Sequence, residues 1–191
     1  MAYQTYITEA IVCGSSDSNT SNRSFLLFTR DAGMVYAHAQ SVREERSKHR
    51  FAMQECGHVR VTLVRGKAGW RVIGAESLGN FYTNAQSREA RAFVRNVLLL
   101  VRRFLLGETP HEGIFDEVVF SCTQLDVYIP SKLEFVMSLR ILHSLGYIGE
   151  SEDTHYLIAE PITELAIDAV TEEVEKKGKS LIAKALTESH L

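Results

Sequence analysis

The hydrophobic period of this chain changes once, and that change constrains the fold more than any other feature of the sequence. Up to Leu78 apolar residues come in short runs or alternate every second residue; from Ala90 onward they recur every three or four. A period of two puts side chains on alternate faces of a strand, and a period near 3.6 lines them along one face of a helix. A strand-rich front and a helical rear follow. The switch comes at Thr83, so a β-domain over residues 1–80 and an α-helical domain over 81–191 are expected, an α+β chain.

Five segments of the front half read as strands: Thr5 to Cys13, Ser24 to Thr29, Met34 to Ala39, His58 to Arg65 and Trp70 to Leu78. All are rich in β-branched and aromatic residues, and His58 to Arg65 alternates with Val59, Val61 and Leu63 on one face. Between them, Gly14 to Asn22 is a loop of Ser, Asn, Asp, Thr and Gly, Arg30 to Gly33 and Gly66 to Gly69 are hairpin turns, and Gln40 to Gln54 is a loop or short helical turn. Short antiparallel strands with a longer excursion after the third suit a five-stranded OB-fold β-barrel. An SH3-like barrel or an open sheet fits the same pattern.

In the rear half, Thr83-Asn84-Ala85-Gln86, Thr109-Pro110-His111-Glu112 and Ser131-Lys132-Leu133-Glu134 each have the spacing of a capping box ahead of an amphipathic run. The first opens a helix whose polar face carries Arg88, Arg91, Arg95 and Arg102, with Arg103 beside them; the third opens one that stops at Gly146 through a left-handed cap. Tyr156-Leu157-Ile158 reads as a short strand, and a last long helix, Ile162 to Lys177, is expected to stop at Gly178.

Charge is sorted along the chain. Residues 42–71 hold eight cations, Arg43, Arg46, Lys48, Arg50, Arg60, Arg65, Lys67 and Arg71, against Glu44, Glu45 and Glu55, while the whole chain has a net charge of −3. Residues 108–175 hold 15 acidic residues against 2 basic ones. A basic front on an acidic protein suits a polyanion such as nucleic acid, since Lys and Arg there displace its condensed counterions. The alternative is a strand edge studded with cations against aggregation. Among the aromatics, Tyr36 stands beside the basic loop as a candidate base-stacking side chain, whereas Trp70 reads as a core anchor.

Catalytic and metal chemistry find no support. Cys13, Cys56 and Cys122 are isolated, which suggests neither a disulfide framework nor a zinc ribbon and fits a reducing cytoplasm. Cys56-Gly57-His58 lacks a third catalytic group, and Gly66-Lys67 lacks the phosphate-loop pattern. No cofactor is implied. The opening residues carry no basic segment followed by an apolar run, and no stretch approaches ~18 apolar residues, so neither secretion nor membrane association is expected.

With these elements placed, several stretches resemble the DNA repair and recombination protein RecO family. Thr8-Glu9-Ala10-Ile11-Val12 resembles its opening strand, Leu26 to Arg30 with Gly33 its second strand and turn, Val35 to Lys48 its third strand and basic segment, and Ala75-Glu76 the end of its fifth strand. Phe115 to Leu125 and Leu133 to Tyr147 are similar to helices of its second domain, the latter with the final Leu-Gly-Tyr. The resemblance implies a non-enzymatic protein of recombinational repair that binds single- and double-stranded DNA, anneals strands and helps load recombinase, with RecR and the acidic tail of single-stranded DNA-binding protein as partners. In that register Arg43, Arg46 and Lys48 fall on positions usually basic in the family. With the cations that neighbour them, the expected DNA contacts are Arg43, Arg46, Lys48, Arg50, Arg60, Lys67, Arg71 and Tyr36. The chain departs from the family at Gln40-Ser41 and Glu44, where members carry Lys-Gly and a second Arg, and no cysteine follows Cys122 where many members hold zinc. Two other readings stand beside this one: a protein-interaction scaffold that uses the barrel as a platform, and a regulator in which Leu133 to Ile158 forms something like a winged helix.

Overall fold

Five strands close into a ring in the computed structural model, which describes residues 4–17, 23–40, 49–67 and 69–189. They are β1 (Thr5–Asp17), β2 (Arg23–Thr29), β3 (Gly33–Ala39), β4 (Gly57–Gly66) and β5 (Gly69–Asn80), in the order β1-β2-β3-β5-β4 with β4 paired back to β1. Every neighbouring pair is antiparallel except β3 and β5, which run parallel through Ala37–Trp70 and His38–Arg71. The closed ring is the OB-type barrel expected from the sequence, and it sets aside the open sheet. Alternation fills it: Ala10, Val12, Phe25, Leu27, Val35, Ala37, Val59, Val61, Leu63, Trp70 and Val72 point into one core. The short helix α1 (His49–Ala52) contributes Ala52 to that core, and Met53 follows it there.

Two local features tighten the ring. Gly33 ends the β2–β3 turn at φ 69°, and a Cβ there would run into the backbone of Thr109, so both conformation and space require glycine. β1 is longer than its composition suggests: Gly14, Ser15, Ser16 and Asp17 pair with Leu26 to Arg23 after a bulge at Cys13. The sequence pointed to a loop from Gly14, but a backbone ladder needs no apolar side chains once a partner strand is in register. The Arg23–Asp17 ion pair, at 3.0 Å, ties off its end.

The chain divides into two units, Met1–Asn84 with Leu105–Phe115, and Ala85–Phe104 with Asp116–Leu191. The first holds the barrel and the short helix α2 (Phe81–Asn84), whose second and third amides, on Tyr82 and Thr83, are capped by Asn80 Oδ1. The second contains α3 (Arg88–Phe104), most of α4 (Glu112–Thr123), α5 (Pro130–Ser144), α6 (His155–Ala159), α7 (Glu164–Asp168) and α8 (Glu172–Glu188). Central to it is α5, which meets α3, α6 and α8 and buries Leu133, Phe135, Val136, Met137, Leu139, Ile141 and Leu142. A helix apolar nearly all round belongs in the middle of a bundle.

Several sequence expectations change here. α3 is capped by Ser87 Oγ on the Ala90 amide rather than by Thr83, because Thr83 and Asn84 are taken up in α2. α4 starts at Glu112, leaving Pro110 outside the helix, and α5 starts at Pro130 with Ile129 as a cap that lends no side-chain bond, so Ser131 is inside. The left-handed stop of α5 is present at Gly146, φ 78°, with Gly146 N donating to His143 O and Tyr147 N to Leu142 O. Residues 156–158 lie in helix α6 rather than a strand, which removes the hairpin a winged helix needs.

The last helices differ most. The single run expected over Ile162 to Lys177 is broken into α7 and α8, each capped by a threonine, Thr163 and Thr171. Gly178, read as a stop, lies inside α8 facing the Phe135 ring, 2.5 Å from where a Cβ would sit. Close packing selects the glycine there. Arg140 ties the segment after Gly146 to α4: its guanidinium binds the Glu117 carboxylate through Nε and NH2, and through NH1 it donates to Leu157 O and Glu160 O. Among the described residues no helix is long and apolar enough to cross a membrane, and no cluster of His, Cys, Asp and Glu is arranged to hold a metal.

Candidate nucleic-acid interface

The inward run Val35, Ala37, Ala39 on β3 forces Tyr36 and His38 outward, and inward Trp70 and Val72 on β5 do the same for Arg71. Register then gathers them. His38 is level with Arg71 across the parallel pair, and on the other side Tyr36 faces Leu26 and His38 faces Ser24 of β2. Gly69, which opens β5 just before the Trp70 and Arg71 partners of β3, pairs with Gly66 across the turn that carries Lys67.

The surface is open and positive. Tyr36 is 68% exposed, His38, Lys67 and Arg71 are exposed, and Ile73 continues the same outward series on β5. His38 is held by a 2.8 Å hydrogen bond between its Nδ1 and Ser24 Oγ. Among the described residues no carboxylate lies within 4 Å of Lys67 or Arg71. In OB folds the face of the second and third strands, with the loops after the first and fourth, is where oligonucleotides bind. Here that region offers a phenol ring able to stack on a base, an imidazole, and two cations with free donors.

The remaining expected contacts fall in different places. Arg60 points outward on β4 between Glu9 of β1 and Glu76 of β5, at 3.5 and 3.3 Å, so its charge is compensated from both neighbouring strands. Arg65 pairs with Glu108 at 3.0 Å and lies over the Trp70 ring, 5.3 Å from its centroid. Trp70 itself is a core residue, 5% exposed and packed edge-on against Tyr6. Arg50 is in α1 but its side chain is outside the described residues, as are Arg43, Arg46 and Lys48 altogether. In sequence those four cations follow directly from β3, the strand that presents Tyr36 and His38.

His38 was not singled out from the sequence, although it shares the parity of Tyr36, and that parity is the signal that would have found it. The Cys56-Gly57-His58 group is structural. Burial, and then the nearby Glu55 carboxylate, push the Cys56 thiol above its ordinary range, the opposite of an activated nucleophile. His58 Nε2 is 3.1 Å from Glu9 Oε2, and its ring stacks on Phe81 at 5.3 Å.

No protein-family profile matches the sequence. Curated relatives do: the chain is 28% identical over 144 residues to a protein of Dehalococcoides mccartyi named DNA repair protein RecO, an alignment covering 75% of this chain and 57% of that protein. A protein of the same name from Desulfitobacterium hafniense is 26% identical over 145 residues, covering 74% of this chain and 52% of the relative. The chain therefore spans little more than half the length of the curated relatives it matches, and the resemblance read from its residues is borne out.

Proposed function

The chain is similar to the DNA repair protein RecO family over three quarters of its length, and from that premise we propose that it acts in recombinational DNA repair by binding DNA through the outer face of β2, β3 and β5. It binds single- and double-stranded DNA without catalysing a reaction, promotes strand annealing and helps load recombinase, with RecR and the acidic tail of single-stranded DNA-binding protein as its protein partners. The observation that carries this reading is the convergence of Tyr36, His38, Lys67 and Arg71 on the face an OB barrel offers to oligonucleotides. Basic residues 43–50 follow in sequence from the same strand.

Binding is electrostatic with a stacking component. Arg71, Lys67 and the cations of residues 43–50 neutralise phosphates, while Tyr36 takes a base on its ring. Arg60 is left out of the contact set because two carboxylates already hold it. With four or five phosphate contacts on a single strand, this face contributes roughly −3 to the slope of log affinity against log salt.

Mobility shift of labelled oligonucleotides at increasing salt tests this reading. Wild-type protein is expected to bind at low salt, and Arg71→Glu with Lys67→Glu to weaken binding across sequences alike. A wild-type protein that binds no DNA at low salt, yet recovers repair proteins in a pull-down after nuclease treatment, would replace this reading with the scaffold.

A further inference from the structure

We propose that one face of α3, which belongs to the helical unit, is a second phosphate-binding surface that contacts the sugar-phosphate backbone of a single strand. Arg88, Arg91, Arg95 and Arg102 are all exposed. At 100° per residue they fall within an arc of about 60°, and the fourteen steps from Arg88 to Arg102 cover about 21 Å of helix. That is the length of roughly six stacked nucleotides of one strand.

Their lack of partners is what sets these arginines apart. Among the described residues none of the four has a carboxylate within 4 Å; Arg95 reaches Asn96 Oδ1 at 3.5 Å, which uses one of its five N–H donors. Most other cations of the same helical unit are engaged, Lys176 excepted: Arg140 with Glu117, Lys177 with Asp153 and Glu173, Lys179 with Glu175, and Arg103 with Leu186 O. This unit also contains most of the acidic stretch 108–175, so carboxylates were available to pair with the stripe. Four like charges at three- to seven-residue spacing repel one another, a cost that a bound polyanion reverses.

A nucleic-acid backbone fits the stripe better than an acidic peptide. Every cation in it is an arginine, whose planar fork grips phosphate bidentately. Peptide binding usually turns on apolar anchors seated in pockets, and along α3 the one exposed large apolar side chain is Leu99. The choice of DNA as the strand rests on the reading of the barrel face given above.

Fluorescence anisotropy with a labelled oligothymidine, over a salt series, tests the proposal on the full chain. The variant Arg88→Gln/Arg91→Gln/Arg95→Gln/Arg102→Gln keeps good helix formers at exposed positions, and far-UV circular dichroism and thermal melting verify that it is folded. Its salt slope is expected to be shallower by up to about 2.8, and its affinity near ~0.1 M salt to be roughly 100-fold weaker. The matching four Arg→Lys changes restore most of the slope. Wild-type affinity and slope in the Gln variant would overturn the proposal, as would labelled polyglutamate binding that depends on the stripe while oligothymidine binding does not. A parallel Lys67→Gln/Arg71→Gln variant separates the two surfaces: no effect there, with a loss in the α3 variant, removes the barrel reading and keeps this one. A wild-type chain that binds no oligothymidine at low salt removes both.

Discussion

Replacing Arg140 by Met should loosen the helical unit from one side. The guanidinium makes four hydrogen bonds, two to Glu117 and one each to Leu157 O and Glu160 O, at the C-terminal end of α6. Breaking a buried ion pair from one side costs about 3–5 kcal/mol, because the remaining charge stays in a poor environment. Glu117 is 32% exposed and regains some water, so the low end applies, about 3 kcal/mol including the two orphaned carbonyls. For a chain of this size each kcal/mol lowers Tm by roughly 2–4 °C, giving a drop of about 6–12 °C by calorimetry or circular dichroism. Hydrogen exchange should speed up first in α6, whose last carbonyls the arginine caps. The cycle with Glu117→Leu discriminates: the double variant should recover much of the loss, since an apolar pair of similar volume leaves no lone charge. A Tm change under about 2 °C for Arg140→Met, or additive losses in the double variant, would refute the reasoning.

Gly178→Ala puts a methyl group against the Phe135 ring; overpacking of about 1–3 kcal/mol should exceed the ~1 kcal/mol gained in helix propensity, so urea unfolding should show a net loss that Phe135→Leu relieves. Arg60→Ala removes two exposed ion pairs and should shift stability by no more than about 1 kcal/mol while leaving oligonucleotide affinity unchanged; a clear loss of affinity would return Arg60 to the interface. Trp70→Phe should leave DNA binding intact, and emission from the single tryptophan should respond weakly to DNA, because the ring belongs to the barrel core and its buried Nε1 has no partner to lose. The folded-state pKa of Cys56 is raised by burial and then by Glu55, so the neutral thiol is favoured in the fold: alkylation at neutral pH should be slower than in the unfolded chain. This contribution to stability is complete below the ordinary thiol range and is lost as pH rises through the folded value, so Cys56→Ala should flatten the stability decline above about pH 9.

What could be read in advance follows from how local each cause is. The five strands were legible because period and turn residues are local, and the outward parity of Tyr36 and Arg71 came with them. Gly178 was misread as a stop because its reason, the Phe135 ring, belongs to another helix. Residues 156–158 have β-like composition yet fold as helix where Arg140, from α5, satisfies the carbonyls at the end of α6. The capping boxes at Thr83 and Ser131 were sequence matches displaced by better starts nearby, an Asn80-capped turn and a proline at the first helical position.

For the interface, sequence could count cations but not tell which were already neutralised. Arg60 and Arg71 sit on adjacent strands with the same exposed character, and composition treats them alike. Register separates them: the strands flanking Arg60 bring Glu9 and Glu76 level with it, while the strands flanking Arg71 bring His38 and Val64. The same distinction applies on α3, where Glu89 lies about 100° from Arg88 around the helix axis and the stripe therefore keeps its full charge. An ion pair already made inside the protein must be broken before its arginine can serve a phosphate, whereas an uncompensated arginine gives up only water and gains the counterions it releases from the strand. Charge without a partner, rather than charge alone, is thus the feature on which both proposed surfaces rest, and it favours the β3–β5 face and the α3 stripe over the paired Arg60 and Arg65 of β4.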